Sequence, residues 1–241
     1  MGYMRRVKVT RDKKVIEKNL YYAYRAMPKD KKVRECRAGR KQQTTDQQKA
    51  INRQHAAGKL AMLIANNFQP GDWYLTMTAF GKKPTGEETK KALDNFMVSL
   101  RRYYKQKGKE LKYIAVLENL TGRGRPHGHM LINSLKPEDM ETIKKHWTLG
   151  RVRIEFFGGD IDDCTNLAAY FKKEDVEEHS GRVRTSHNLV RPEEKKEKVT
   201  RSECYKTQIV PPKGYHVHKR LTWQGYTKDG YPCQHIIFVR D

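Results

Sequence analysis

Between Trp73 and Glu174 the apolar residues switch repeatedly between the two-residue period of a strand and the 3.6-residue period of a helix. No other feature restricts the fold as much. Trp73–Phe80 reads as a strand rich in aromatic residues and threonine, followed by a loop over Gly81–Gly86. Leu93, Phe96, Met97, Leu100 and Tyr104 then mark one face of a helix that stops near Gly108, with Thr85 and Glu88 spaced as a capping box. Leu111–Asn119 and Arg125–Asn133 read as two strands joined by a Gly/Arg loop. Pro137 opens a helix carrying Met140, Ile143, Trp147 and Leu149, which ends at Gly150. Arg151–Phe156 alternates as a strand, and a last helix runs from about Asp163 to Glu174.

The resulting order, β-α-β-β-α-β and then a helix, predicts an α+β, ferredoxin-like domain: an antiparallel sheet with helices on one face and the other left free for a ligand. A leading helix is expected from Thr44, where Ala50, Ala57, Leu60, Ala61, Leu63 and Ile64 keep helical spacing until Pro70-Gly71-Asp72. Three regions follow: a basic arm over 1–43, a domain over 44–178, and a basic extension over 179–241 that ends in a short β module. The arm is expected to be poorly ordered or partly helical and to lie along nucleic acid. The extension is expected to be irregular as far as Pro211-Pro212.

Charge narrows the partners. The 241 residues hold 50 Lys and Arg against 28 Asp and Glu, a net charge of +22, and residues 1–43 alone hold 15 against 4. Such a field favours polyanions, nucleic acid first among them. No long apolar run or basic amphipathic anchor argues for a membrane partner. The opening Met1–Arg6 lacks the apolar stretch of a signal peptide, and the four cysteines form no Cys-x-x-Cys pair. Reduced thiols and a cytoplasmic location are therefore expected.

The sharpest chemical signal is His127-Gly128-His129. Alternate residues of a strand share a face, so both imidazoles project together. If 121–124 is the turn of an antiparallel hairpin, Glu118 lies opposite His127 and Val116 opposite His129, and opposed residues point to the same side. Glu118, His127 and His129 then converge as a metal site with open positions. By donor set alone it also suits catalytic zinc or non-haem iron. Arg123 and Arg125 flank the turn and favour a phosphate-directed role. His216-Val217-His218 has the same spacing without an evident acidic partner and reads as structural or nucleic-acid-contacting.

The last helix offers a nucleophile, Tyr170, with Lys173 one turn on and on the same face. An unperturbed phenol, with a pKa of about 10, needs a nearby cation or an activated phosphate to attack at neutral pH. The plainer alternative is that Tyr170 caps the small packing surface of Ala168 and Ala169. Of its rivals Tyr103 and Tyr104, the latter lies on an apolar stripe and reads as core.

These residues together resemble the His-hydrophobe-His (HUH) superfamily of endonucleases, in particular rolling-circle replication initiators of the filamentous-phage and plasmid type with a single catalytic tyrosine. Tyr74-Leu75-Thr76-Met77-Thr78 is similar to the first strand motif, His127-Gly128-His129 to the metal motif, and Tyr170-Phe171-Lys172-Lys173 to the Tyr-x-x-Lys motif. The likeness spans roughly residues 60–175 and takes in Ile64–Phe68 of the leading helix. It implies cleavage of single-stranded DNA at an origin hairpin, a 5′-phosphotyrosine at Tyr170, and a free 3′-OH that primes replication. It also implies Mg²⁺ or Mn²⁺ on Glu118, His127 and His129, with Lys173 assisting at the metal or phosphate. Host helicase and polymerase would be partners in a bacterial cytoplasm, since no Gly-x-x-x-x-Gly-Lys-Ser/Thr loop is present. Lys82, Lys83, Arg123, Arg125, Arg151, Arg153 and Lys172 are candidate phosphate contacts.

Two departures stand out. Gly128 occupies a position that is usually bulky and apolar, and the motif helix carries one tyrosine, which would have to be reused or joined by a second subunit's. The alternatives are a single-tyrosine transposase or relaxase of the same superfamily, and a non-catalytic nucleic-acid-binding protein.

Overall fold

The computed structural model describes residues 2–23, 45–120, 124–174, 183–206, 208–227 and 229–241. Its elements begin with β1 (Gly2–Val9), β2 (Val15–Ala23), α1 (Asp46–Asn67), β3 (Trp73–Ala79), α2 (Gly86–Gln106), β4 (Tyr113–Glu118) and β5 (His127–Ile132). They continue as α3 (Met140–Lys145), β6 (Gly150–Phe156), α4 (Ile161–Glu174), β7 (Arg184–Thr185), β8 (Glu193–Val199) and α5 (Arg201–Cys204). The last three are β9 (Tyr215–Val217), β10 (Trp223–Tyr226) and β11 (Pro232–Arg240). The chain forms two compact units, Ala50–Val190 and a second made of Met1–Lys49 with Arg191–Asp241.

The Ala50–Val190 unit has the expected α+β order. Its antiparallel sheet runs β6-β3-β5-β4-β7. Alternation on β3 sends Trp73, Leu75, Met77 and Ala79 into the core and leaves Tyr74, Thr76 and Thr78 on the opposite face. The core face packs on α2 through Leu93, Phe96, Leu100 and Tyr104 and on Ile143 and Trp147, at and just beyond α3. Each such side chain contributes about 1.5–3 kcal/mol on burial. Phe96 and Trp147 meet edge to face at 5.8 Å, and the Trp147 indole N–H donates to the Thr78 carbonyl at 2.9 Å. The capping box is formed: Thr85 Oγ1 accepts from the Glu88 amide at 3.1 Å, and the Thr85 amide donates back to Glu88 at 2.7 Å.

The second face is not left free as expected. On it Ile114, Val116 and Leu131 are buried, and α4 lies against β4. The physical reason is α4's own apolar side: Cys164, Ala168 and Phe171 are fully buried and need a covered surface. What stays open is the polar end of this face.

The other unit corrects the reading of both chain ends. Residues 2–23 do not form an irregular or helical arm. They are the β1–β2 hairpin, at the centre of a second antiparallel sheet of order β10-β11-β2-β1-β8, with β9 pairing on β11. Residues 24–43 of the expected arm lie outside the described residues. Strand β8, read as irregular, is Glu-Glu-Lys-Lys-Glu-Lys-Val on the sheet edge. An edge strand needs backbone pairing and no apolar face, and two of its glutamates meet cations on β1: Arg5 faces Glu197 with a 2.7 Å ion pair, and Lys8 faces Glu194, whereas Lys196 lies opposite Arg6. Leu20, Cys204, Ile236 and Phe238 form a small core. His216, which seemed to lack an acidic partner, lies 2.8 Å from the Asp241 carboxylate.

Candidate metal centre and nucleophile

Register builds the site. Glu118 pairs with His127 and Val116 with His129, as the 121–124 turn implied, although residues 121–123 themselves lie outside the described residues. Across β3 and β6 the same face continues in two rows, His127–Thr78–Arg151 and His129–Thr76–Arg153. Asn119 follows Glu118 at φ 56, the left-handed region that Asn tolerates, and so ends the strand directly after the carboxylate.

Ligand-type atoms of Glu118, His127 and His129 lie within 4.8 Å of one another. His127 Nε2 is 2.9 Å from Glu118 Oε2, and His129 Nε2 is 3.5 Å from Oε1. Glu118 and His129 are buried, and His127 is half-buried. The donor set fits a divalent cation on two grounds. First, Glu118 Oε1 is buried with no hydrogen-bond partner among the described residues, an arrangement that costs free energy unless a cation or donor occupies the site. Second, the outer nitrogens of both imidazoles are held by oxygen atoms. His127 Nδ1 is 3.0 Å from the Arg125 carbonyl, which can only accept, so that nitrogen carries a proton and Nε2 is the nitrogen that faces the Glu118 carboxylate. His129 Nδ1 is 2.7 Å from the Tyr74 hydroxyl, which fixes the ring with Nε2 towards Glu118.

The electrostatics agree. Burial lowers His129, assisted by His127 and opposed by Glu118, so the neutral, ligating imidazole is favoured. Burial pushes the Glu118 carboxyl up, but His127, the Tyr170 hydroxyl and His129 outweigh it and hold the group below its ordinary value, ionised. Burial, with Glu118 and Glu155 adding to it, raises the Tyr74 phenol far above its ordinary value and keeps it protonated.

Helix α4 delivers Tyr170. Its hydroxyl lies 2.9 Å from His129 Nε2, with the two rings edge to face at 5.1 Å. The phenol therefore reaches the nitrogen that faces Glu118, whereas Tyr74 touches the outer one. Beside Tyr74 and Tyr170 opens a cleft of about 380 Å³ lined also by Glu155, Phe156, Asp163 and Asn166.

The basic residues divide. Arg151 and Arg153 stand on the site face. Arg151 lies over the Phe80 ring at 5.1 Å, and Arg153 pairs with Glu155 at 2.9 Å. Arg125 donates to the Gly81 carbonyl at 2.8 Å, while Lys82 and Lys83 are exposed in the loop after β3. Lys172 is half-buried on α4. Arg123 and the Lys173 side chain lie outside the described residues. The sequence reading did not assign Tyr74, Thr76 or Thr78 a site role of their own. An aromatic or threonine on a strand reads equally well as packing, and only the face shared with His129 sets these residues apart.

Gly128 is explained by its neighbours. A Cβ there would lie 2.9 Å from Met77 Cε and 3.0 Å from Leu117 Cδ2, so these two side chains already fill the volume of the usual bulky residue. Both contacts are ends of flexible chains, so Gly128→Ala is expected to stay within about 1 kcal/mol of wild type. Gly128→Leu overpacks the core and should cost about 1–3 kcal/mol in denaturant unfolding. Adding Met77→Ala should recover most of that loss. A Gly128→Leu protein as stable as wild type would show that this side of β5 is not close-packed.

Residues 72–175 match the family model described as replication-associated protein ORF2/G2P, which supports a role as a replication initiator. No curated protein matches the chain. A crystal structure of the hypothetical protein ORF119 from Sulfolobus islandicus rod-shaped virus 1 is similar at 19% identity and a TM-score of 0.36, covering 50% of this chain and 94% of that one. Among the described residues, no helix is long and apolar enough to cross a membrane.

Proposed function

We propose that the protein initiates replication by cutting and rejoining single-stranded DNA at an origin, through a covalent tyrosine intermediate. The observation that carries this reading is the Tyr170 hydroxyl, 2.9 Å from the nitrogen of His129 that faces Glu118, beside a carboxylate and two imidazoles able to hold one cation. The match over residues 72–175 supplies the context of replication.

Glu118, His127 and His129 would hold a divalent cation, which the resemblance to the initiators makes Mg²⁺ or Mn²⁺. When bound, such an ion supplies Lewis-acid polarisation of the scissile phosphate. Tyr170 Oη attacks the phosphorus, forming the tyrosyl phosphodiester to the 5′ side and breaking the bond to the 3′ oxygen. The phenolic proton is balanced by the proton gained at the released 3′-OH. One phosphodiester replaces another, so the reverse attack by a 3′-OH reseals the strand without an energy source. Arg151 and Arg153, on the same face of the sheet, are placed to hold the flanking backbone, and Lys173 would assist at the phosphate. Extension of the 3′-OH and unwinding fall to the host's polymerase and helicase, in the cytoplasm of a bacterial cell.

End-labelled single-stranded oligonucleotides from the protein's own replicon, incubated with it and Mn²⁺ and run on a denaturing gel, test this directly. A covalent protein–DNA band that is lost in EDTA is expected. Tight DNA binding with no adduct on any origin-derived sequence would leave a non-catalytic binding protein.

A further inference from the structure

Positive charge is not confined to the unit that holds the metal centre. Among the described residues, the unit formed by residues 1–49 and 191–241 holds 18 Lys and Arg against 9 Asp and Glu, a net +9. The described part of residues 50–190, which contain Glu118, His127, His129 and Tyr170, is nearly twice as long and holds 21 against 14, a net +7. The charge is therefore denser on the unit that lies apart in sequence from the strand-cutting residues.

That unit also exposes aromatic surface. Tyr226, on edge strand β10, is 63% exposed, and one face of its ring is backed by Tyr205 at 5.3 Å and 27°. A centroid spacing of 5.3 Å leaves no room for a base between the two rings, so only the outer face of Tyr226 is available. Around the pair opens a cleft of about 600 Å³ lined by Thr200, Arg201, Ser202 and Pro232. Arg201 is exposed at its rim. On the same unit, burial lowers the Lys18 ammonium and Arg5 and Lys206 lower it further, against Glu197, which is ion-paired with Arg5 at 2.7 Å.

We infer that this cleft is a second nucleic-acid site, in which an unpaired base stacks on Tyr226 and its phosphate lies against Arg201. An exposed ring backed by another aromatic gives a rigid platform for any base. A guanidinium exposed beside that ring suits a phosphate. The arrangement favours a single strand over a duplex, because paired bases hide their faces. The inference rests on nucleic acid being the substrate class and not on the chemistry of Tyr170.

The test uses the full chain in EDTA, with a labelled oligothymidylate carrying no origin sequence, and reads anisotropy across a salt series. Tyr226→Ala should weaken single-strand binding about ten-fold and leave binding of a random duplex unchanged. Tyr226→Phe keeps the π-face and should bind as wild type. Arg201→Gln should weaken binding and reduce the slope of log affinity against log salt by about one. Wild-type single-strand affinity in Tyr226→Ala would overturn the site. So would a loss of concentration-dependent self-association in that variant, which would make the β10 edge a contact between copies. Adduct formation at Tyr170 is scored separately with Mn²⁺, so either reading can fail while the other stands.

Discussion

Tyr170→Phe is expected to abolish the covalent protein–DNA adduct completely. The variant removes only the oxygen that would bond to phosphorus, and no neighbouring residue replaces it. The hydrogen bonds lost, to His129 and Glu118, are worth about 1 kcal/mol each, so thermal unfolding should move only modestly. The informative comparison is Tyr74→Phe, because both tyrosines touch the same imidazole from opposite sides. Tyr74 reaches the outer nitrogen and its phenol is strongly held in the protonated form, so it orients His129 and does not attack. Losing an orienting partner of this kind costs about 10–100-fold in metal affinity or activity, a reduction and not an abolition. An adduct that survives in Tyr170→Phe and disappears in Tyr74→Phe would reverse the two roles.

The second large effect is expected at Glu118. Glu118→Gln keeps shape and volume but removes the one carboxylate charge from a site otherwise made of two imidazoles. Orienting partners alone are worth about 10–100-fold, so loss of a ligand's charge should lower Mn²⁺ affinity by at least about 100-fold in titration calorimetry. Stability should fall as well, by less. Without metal, His127, the Tyr170 hydroxyl and His129 outweigh desolvation and hold the carboxyl below its ordinary value, so its charge is favourable on balance in the folded protein. Glu118→Gln loses that contribution, and the metal-free variant should be modestly less stable than metal-free wild type at neutral pH, a difference that shrinks as pH falls through the carboxyl's folded-state value. Mn²⁺ should then raise the melting temperature of wild type and leave the variant nearly unchanged. A variant that is markedly less stable without metal, with Mn²⁺ affinity intact, would make Glu118 a structural partner of His127.

Much of the domain that holds this site was legible because its signals are local. Period changes between Trp73 and Glu174 are a property of neighbouring residues, and so is the spacing of Thr85 and Glu88. The pairing of Glu118 with His127 required only the position of a turn, since opposed residues in a hairpin sum to a constant. The ends of the chain were opaque for a matching reason. β1 and β8 are separated by more than 180 residues, and their pairing is written in charges such as Arg5 with Glu197, not in an apolar alternation. Sequence periodicity reports which face a segment buries, and a charged edge strand buries neither.

By itself, then, the sequence determined the β-α-β-β-α-β order, the register that brings a carboxylate against two imidazoles, and a strongly basic chain. Each follows from spacings a few residues long. Only the tertiary structure decided that α4 crosses to the ligand face and sets Tyr170 against His129, that Tyr74 orients the same ring, and that Met77 and Leu117 occupy the volume missing at Gly128. It also decided that the two chain ends join in one sheet. These outcomes depend on contacts between distant segments, which form where buried surface and backbone pairing repay the entropy of closing long loops, and no local pattern in the chain encodes that balance.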